Sequence, residues 1–359
     1  MPRRVHLHVG APKSGTTYLQ SRLHVNRREL SRHGVSYPHG PLGDQRVHYW
    51  AALEVTETDH GVDPRRVHGA WSRLLRHVRR ASGDVILSHE VLAKASPEQA
   101  ERVLDDLAAT GAEIHLVFTA RDLARELSGA WQETLKFGGR RPFARFLASA
   151  REGDSAFMEG FDPTRVLDVW AGELPAQRVH VVTAPPAGGP PDLLWHRFLE
   201  AIGVDPAWVP HEAVRANESV GIPEAHLLRR INRRLGDQAR RGGEYSALVD
   251  GIVVGRVLGP RRSERITLGP ADHPWVLERS RTWIEWLRER GVVVHGDLGD
   301  LLPAPPPEPW TDPDEPVPGK VASAAVEVIE ALLEEVHARP PSPLDRARRA
   351  AARLRRDGA

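Results

Sequence analysis

A chain of 359 residues with 40% hydrophobic side chains is long enough to bury the core of one large domain or two small ones. It has no cysteine, which excludes disulfides, thiolate nucleophiles and thiolate metal sites and fits a cytoplasmic protein, and its net charge of +1 gives no global field favouring nucleic acid. No run of about 18 apolar residues occurs, so no membrane span is expected, and Val5–Val9 is too short and too histidine-rich for a secretory signal.

Val5 to Val9 reads as a strand that stops at Gly10. A tight turn follows, and Thr16 to about Arg32 is helical, with Gly34 placed as its C-cap. Val35 to Pro38 is a short strand, and residues 39–62 read as a long loop in which His48, Tyr49, Trp50 and His60 line a pocket. Val67 to Arg80 is an amphipathic helix, and Asp84 to Ser88 a buried strand with His89 and Glu90 just past its end. Ser96, Pro97 and Gln99 open the next helix with a cap, a first-turn proline and a capping-box partner, and Gly111 closes it. Ile114 to Thr119 is a strand followed by Arg121 and Asp122, then a helix from about Leu123 to Lys136. Asp162 and Pro163 start a helix reaching Trp170, Arg178 to Thr183 is a strand, and helices follow near Leu193–Ala201, Leu227–Leu235 and 275–290.

Short strands alternating with helices predict an α/β fold in three layers, a mostly parallel central sheet with helices on both faces. The α/β domain is expected over 1–302, a Pro-rich acidic linker over 303–320, and a C-terminal helix with an Arg-rich tail over 321–359. Arg346, Arg348, Arg349, Arg353, Arg355 and Arg356 read as a solvated helix rather than a grip on an anionic partner. His6 and His8 share a strand face at a spacing that suits a metal, but with no third ligand nearby they read as core histidines, and no metal is expected.

The stretch that organises the chain is Gly10-Ala11-Pro12-Lys13-Ser14-Gly15-Thr16-Thr17. Strand, glycine turn and helix N-terminus together form an anion cradle, because exposed N–H groups and the positive end of the helix point at one place. A Walker A loop would put Lys directly after its second glycine, where this chain has Thr16. The lysine stands inside the loop instead, at position 13, in a chain whose lysines occur only at 13, 94, 136 and 320. In parallel sheets ligands bind beyond the carboxyl ends of the strands, so the Lys13 turn, His89-Glu90 and Arg121-Asp122 should converge.

Pro12-Lys13-Ser14-Gly15-Thr16-Thr17 resembles the 5′-phosphosulfate loop of the sulfotransferases that use 3′-phosphoadenosine 5′-phosphosulfate (PAPS), of the bacterial P-loop type. The resemblance implies a P-loop NTPase-like sulfotransferase fold and PAPS as co-substrate. Pro12, Lys13, Ser14, Gly15, Thr16 and Thr17 would hold the 5′-phosphate, and Lys13 would also act on the leaving group. It carries Arg121 over as a 3′-phosphate ligand, and Ser128 with it, seven positions on where the family spacing is eight. A base for the acceptor is implied at His89 or Glu90; neighbouring strand-end residues point opposite ways, and the Ser-His-Glu spelling favours Glu90. The family's later Gly-rich loop is not recognisable, and Arg215 to Ser219 is the candidate replacement.

The acceptor is expected to be a small molecule or glycan bearing a hydroxyl or amine, and the sequence fixes neither its identity nor the oligomeric state. A P-loop ATP-dependent kinase and a non-catalytic nucleotide-binding protein are the competing readings; magnesium-dependent ATP hydrolysis would favour the first, donor binding without transfer the second.

Overall fold

The computed structural model describes residues 3–40, 43–59, 61–153, 158–213, 219–236, 245 and 248–338. His60, Arg215 to Glu218 and the Arg-rich stretch 346–356 lie outside them. The described strands are β1 (Arg4–His8), β2 (Val35–Ser36), β3 (Asp84–Ser88), β4 (Glu113–Ala120), β5 (Val179–Thr183) and β6 (Val293–His295), in one sheet of order β2-β3-β1-β4-β5-β6. Every pairing is parallel, with Val5 opposite Val85 on one side and Ile114 on the other. β1 is therefore central, and the chain crosses from its β3 side to its β4 side after β3. The crevice beyond the carboxyl ends of β1 and β4 is the switch point where parallel sheets bind ligands.

Helices cover both faces. On one side α1 (Thr16–Val25), α2 (Arg27–Arg32) and α10 (Leu193–Ile202) bury Ile86, Val117 and Val182. The other side carries α3 (Val47–Thr56), α4 (Pro64–Val67), α5 (Ala70–Arg80), α6 (Pro97–Ala108), α7 (Leu123–Lys136), α8 (Phe143–Arg151), α9 (Pro163–Ala171), α11 (Ile222–Arg234) and α12 (His273–Arg290). They enclose Val5, Leu7, Val85, Leu87, Leu116 and Phe118 together with the fully buried Trp131, Trp170 and Trp283. α13 (Pro318–Ala338) packs against α11 and against a π-helical segment Val249–Leu258.

Several boundaries differ from the periodicity. The expected single helix Thr16–Arg32 breaks at Asn26, whose amide donates to the carbonyls of Arg22 and His211 and accepts from the His211 N–H. The supposed loop 39–62 contains α3, apolar on nearly all sides and without a capping side chain, so it shows neither period nor start signal. The helix expected from Val67 is interrupted by Gly69, in the left-handed region at φ 72°, and the Glu54 carboxylate of α3 caps the restart by accepting from Gly69 and Trp71. α8 and β6 are additional elements, and α11 begins five residues before the expected Leu227.

The stretch expected as a linker is fastened. Trp310 donates to the Thr267 carbonyl, Asp314 accepts from the amides of Phe143 and Ala144 at the start of α8, and Arg229 of α11 pairs with the same carboxylate. No helix among the described residues is long and apolar enough to cross a membrane.

A row of histidines crosses one face of the sheet: His6 on β1, His115 on β4, His180 on β5 and His295 on β6, with successive ring centroids 5.4, 5.3 and 5.3 Å apart. His115 Nδ1 and His180 Nε2 are 3.0 Å apart, and His180 Nδ1 and His295 Nε2 3.1 Å. His8, on the same face of β1, is satisfied by Ser88 and Thr119 hydroxyls, whereas both ring nitrogens of His6 lack a partner among the described residues. No cluster of three or more His, Asp or Glu side chains suited to a metal occurs among the described residues.

Burial holds His6, His8, His48 and His180 neutral: it depresses His8 and His180 to about 4 and His48 to about 3, and lowers His6 well below the ordinary value. The unfolded chain therefore takes up protons near pH 6.5 that the native state refuses. Stability should be full above about pH 7 and fall on acidification, by about 1.4 kcal/mol per pH unit for each fully buried ring, levelling only below the native values. Denaturant melts at pH 7.5, 6.5 and 5.5 check this; a flat profile would contradict it.

Candidate functional site

The end of β1 is pinned before it turns. Val9 N–H donates to Val117, Ala11 N–H to Thr119, and Thr119 N–H returns a bond to the Gly10 carbonyl at 2.6 Å. The chain then swings through Pro12, Lys13 and Ser14 to Gly15, and α1 starts at Thr16. Lys13 holds φ 63°, a left-handed conformation uncommon outside glycine, and such strain concentrates at functional positions. Gly15, at φ 103°, occupies the N-cap of α1, so no side chain competes there for the first amides of the helix.

Gly15 has a second constraint. A Cβ there would lie 2.4 Å from Leu194 Cδ2 on α10, on a backbone that L side chains rarely adopt. Gly15→Ala is expected to cost about 1–3 kcal/mol and to misalign the turn; a thermal melt of the purified variant with unchanged stability would contradict this.

The turn opens on a cavity of 740 Å³, within the size range of small-molecule sites. Its lining includes Pro12, Lys13, Ser14, Gly15, Thr16 and Thr17 from the turn, Glu90 from beyond β3, and Arg121 from beyond β4. The three strand ends do meet. α7 adds Arg125, Gly129, Gln132, Glu133 and Lys136, a polar stripe one to two turns apart that sequence reasoning passed over. Its legible signal was Lys136, one of few lysines, on the face of Gly129 and Glu133.

Lys13 Nζ donates to Glu133 Oε2 at 2.5 Å, and Lys136 Nζ lies 3.7 Å from the same oxygen. Gly129 leaves room for Arg121: a Cβ there would lie 3.2 Å from an Arg121 terminal nitrogen, closer than ordinary contact. Arg121 does not pair with its neighbour Asp122. Asp122 instead caps α7 and binds Arg125, whose guanidinium also reaches the Pro185 carbonyl. Arg121 donates to the Arg125 carbonyl and stands 3.6 Å from the buried Glu126, without a hydrogen bond. Burial pushes Glu126 up to about 8, with Arg121 pulling the other way.

Not every predicted residue faces the cavity through its side chain. Ser14 is buried, donates to the Ala11 carbonyl and shares a 2.5 Å contact with the Thr119 hydroxyl, so its hydroxyl shapes the turn. Ser128 is buried on α7 and donates to the Ala124 carbonyl of its own helix; its neighbour Gly129 lines the cavity and Ser128 does not. Ser128→Ala is accordingly expected to change affinity for an anionic ligand of this site by less than about threefold, since only a bond within the helix is lost; calorimetric titration checks it.

Glu90 and His89 border different cavities, although Glu90 Oε2 lies 3.9 Å from His89 Nδ1. Glu90 faces the large cavity, while His89 lines a separate 200 Å³ cavity with Tyr37, Arg46, His48 and Tyr49. Thr17 borders both, and Gln20 stands between them, donating to Glu90 Oε2 at 2.9 Å. His89 Nδ1 accepts from the Val91 N–H, so its Nε2 carries the proton of the neutral ring. Burial raises Glu90, but the nearby His89, its backbone amide, Gln20 and His8 outweigh it, and the carboxyl lies below its ordinary value. Burial also lowers His89, with Glu90 opposing.

Another cleft, of 530 Å³, lies by the edge strand β2 among Arg73, Arg76, His77 and Arg80; none of the three strand ends contributes to it.

No family model matches the chain, and no curated protein matches it. Among solved structures, a sulfotransferase from Alicyclobacillus acidocaldarius is similar, at 16% identity and a TM-score of 0.40, covering 67% of this chain and 100% of that chain.

Proposed function

We propose that the chain transfers a sulfonate group from PAPS to a hydroxyl of a small-molecule or glycan acceptor. The observation that carries the reading is the meeting, in one cavity, of the Lys13 turn, Arg121 and Arg125, and the Glu90 carboxylate. Those are the groups that in-line transfer between two oxygens requires: cations where charge builds on the leaving phosphate, and a base for the attacking hydroxyl.

In this reading the turn amides and Thr16 and Thr17 hold the 5′-phosphate, and Arg121, with Arg125 beside it, binds the 3′-phosphate. The acceptor oxygen attacks sulfur, its proton passes to the Glu90 carboxylate, and the bond between sulfur and the bridging oxygen breaks. The electron pair of that bond stays on the departing adenosine 3′,5′-bisphosphate, where Lys13 offsets the new charge. An ionised Glu90 suits a base, and its bond from Gln20 fixes its orientation. Lys13 and Lys136 share the Glu133 carboxylate and Asp122 pairs with Arg125, so the lysine pair keeps a net positive charge towards a polyanion.

Calorimetric titration with adenosine 3′,5′-bisphosphate, followed by labelled PAPS with a panel of hydroxyl and amine acceptors, tests the proposal. Micromolar binding with transfer to at least one acceptor supports it. Magnesium-dependent ATP hydrolysis with no bisphosphate binding would replace it with a kinase-type reading.

A further inference from the structure

Cavities adjoin one another from the Lys13 turn to the edge of the sheet. The 200 Å³ cavity beside His89 shares Thr17 with the large one. Arg46 lines that smaller cavity and holds its guanidinium carbon 5.6 Å from the Trp50 ring centre; Arg66 stands 5.9 Å from the same ring. Trp50 and Arg66 in turn line a cleft of 390 Å³, which shares Arg73 and His77 with the 530 Å³ cleft beside β2.

This series is basic along its length. Among the described residues lining its three outer members, Asp44 is the single acid, and it pairs with Arg46 at 3.2 Å. Arg73, Arg76 and Arg80 stand three and four positions apart, on one side of α5 and over about 10 Å of helix. The carbonyls of Arg66 and His68 hold the Arg73 guanidinium. Arg76 and Arg80 are exposed and make no ion pair with a described residue. Like charges at that spacing weaken a helix. The helix dipole compensates Arg80 in the last turn, but neither Arg73 near the start nor Arg76 in the middle. A bound polyanion would relieve the repulsion.

We infer that the acceptor is an acidic polysaccharide, with one sugar beside Glu90 and the chain running past Trp50 so that its carboxylates meet Arg73, Arg76 and Arg80. The inference rests on the sulfonate-transfer reading for its reacting end. Guanidinium forks match carboxylates in geometry and charge, and every sugar ring offers a hydroxyl to the base. A small acceptor would fill the 200 Å³ cavity and leave the arginine cleft unused. A nucleic-acid strand needs aromatic faces on which its bases stack, whereas Trp50 is buried beneath Arg46 and Arg66.

The test uses the full chain with polygalacturonate and polyglucuronate, the same polymers after reduction of their carboxyls, and an RNA oligonucleotide. Adenosine 3′,5′-bisphosphate is titrated separately. The chain is expected to bind a polyuronate about tenfold more tightly than its reduced form and to transfer sulfonate to it. Arg76→Ser with Arg80→Ser should weaken that binding and raise the KM for the polymer, each about tenfold, with kcat, thermal melt and bisphosphate affinity unchanged. Arg281→Ser with Arg288→Ser, exposed on α12 and outside these linings, should alter none of them. Binding that ignores carboxyl reduction, or that falls equally with both pairs of substitutions, would overturn the inference. So would RNA that binds more tightly than the polyuronates and is lost with Arg76 and Arg80. Bisphosphate binding with transfer only to small neutral acceptors would overturn it and leave the transferase reading standing. Polyuronate binding without bisphosphate binding would overturn that reading, and the acceptor assignment with it.

Discussion

Lys13→Ala is expected to reduce sulfonate transfer by a factor of about 10² to 10³ and to weaken adenosine 3′,5′-bisphosphate binding by a smaller factor. The ammonium reaches from the turn to α7, 2.5 Å from Glu133. Its truncation does more than subtract a charge, because it leaves Glu133 facing the same anion with one counter-ion fewer. The larger loss belongs in kcat, since the leaving group acquires its full charge only as the bond to sulfur breaks. Lys13→Arg should not restore activity: a planar fork cannot take the place of a compact ammonium in a turn closed by Gly10 and Gly15. Global stability should hold, because alanine keeps the Cβ and removes only a half-exposed stem. Calorimetry and single-turnover transfer measure both quantities. A variant that binds the bisphosphate as well as wild type and transfers at the same rate would remove Lys13 from the site.

Glu90→Gln is expected to lower kcat by about 10² to 10⁴ while leaving bisphosphate affinity within about threefold, since a general base is needed for transfer and not for holding the nucleotide. The pH profile carries the sharper test. Glu90 lies below its ordinary value, so the base form is present throughout the neutral range, and wild-type activity should decline only as pH falls through that lowered value. The variant should lose that acid limb. His89→Gln provides the contrast: its ring lines the smaller cavity, and its loss should act mainly on the KM of the acceptor. If His89→Gln abolishes transfer and Glu90→Gln does not, the two roles exchange.

Much of this architecture was legible because each signal was local. The strand over Asp84–Ser88, the capping box at Ser96 and Gln99, and the helix Leu123–Lys136 follow from patterns contained within a dozen residues. α3 was hidden because its residues are apolar on most sides, and its role depends on a carboxylate, Glu54, that serves another helix. The strap around Trp310 and Asp314 was hidden for a related reason: its partners lie at Thr267, Arg229 and the start of α8. In the site, the convergence of the Lys13 turn, Glu90 and Arg121 followed from the rule that strand ends gather ligands. The stripe from Arg125 to Lys136 did not, because a polar helix face reads alike whether it meets solvent or a ligand. Ser128 shows the opposite limit: a side chain displaced by one position on a helix turns by about 100° and finds its own backbone.

The placement of β1 has a consequence for biosynthesis. β1 lies inside the sheet, yet it leaves the ribosome before both of its hydrogen-bonding neighbours, β3 and β4, which begin only at Asp84 and Glu113. At roughly 5–20 residues per second, about 5 to 20 seconds separate the emergence of β1 from that of its second neighbour. Through that interval an apolar segment with two bare edges waits for company. Such delayed long-range pairing makes folding slow and exposes the nascent chain to misassociation, so recovery of active protein should improve with slower translation or added holdase chaperones.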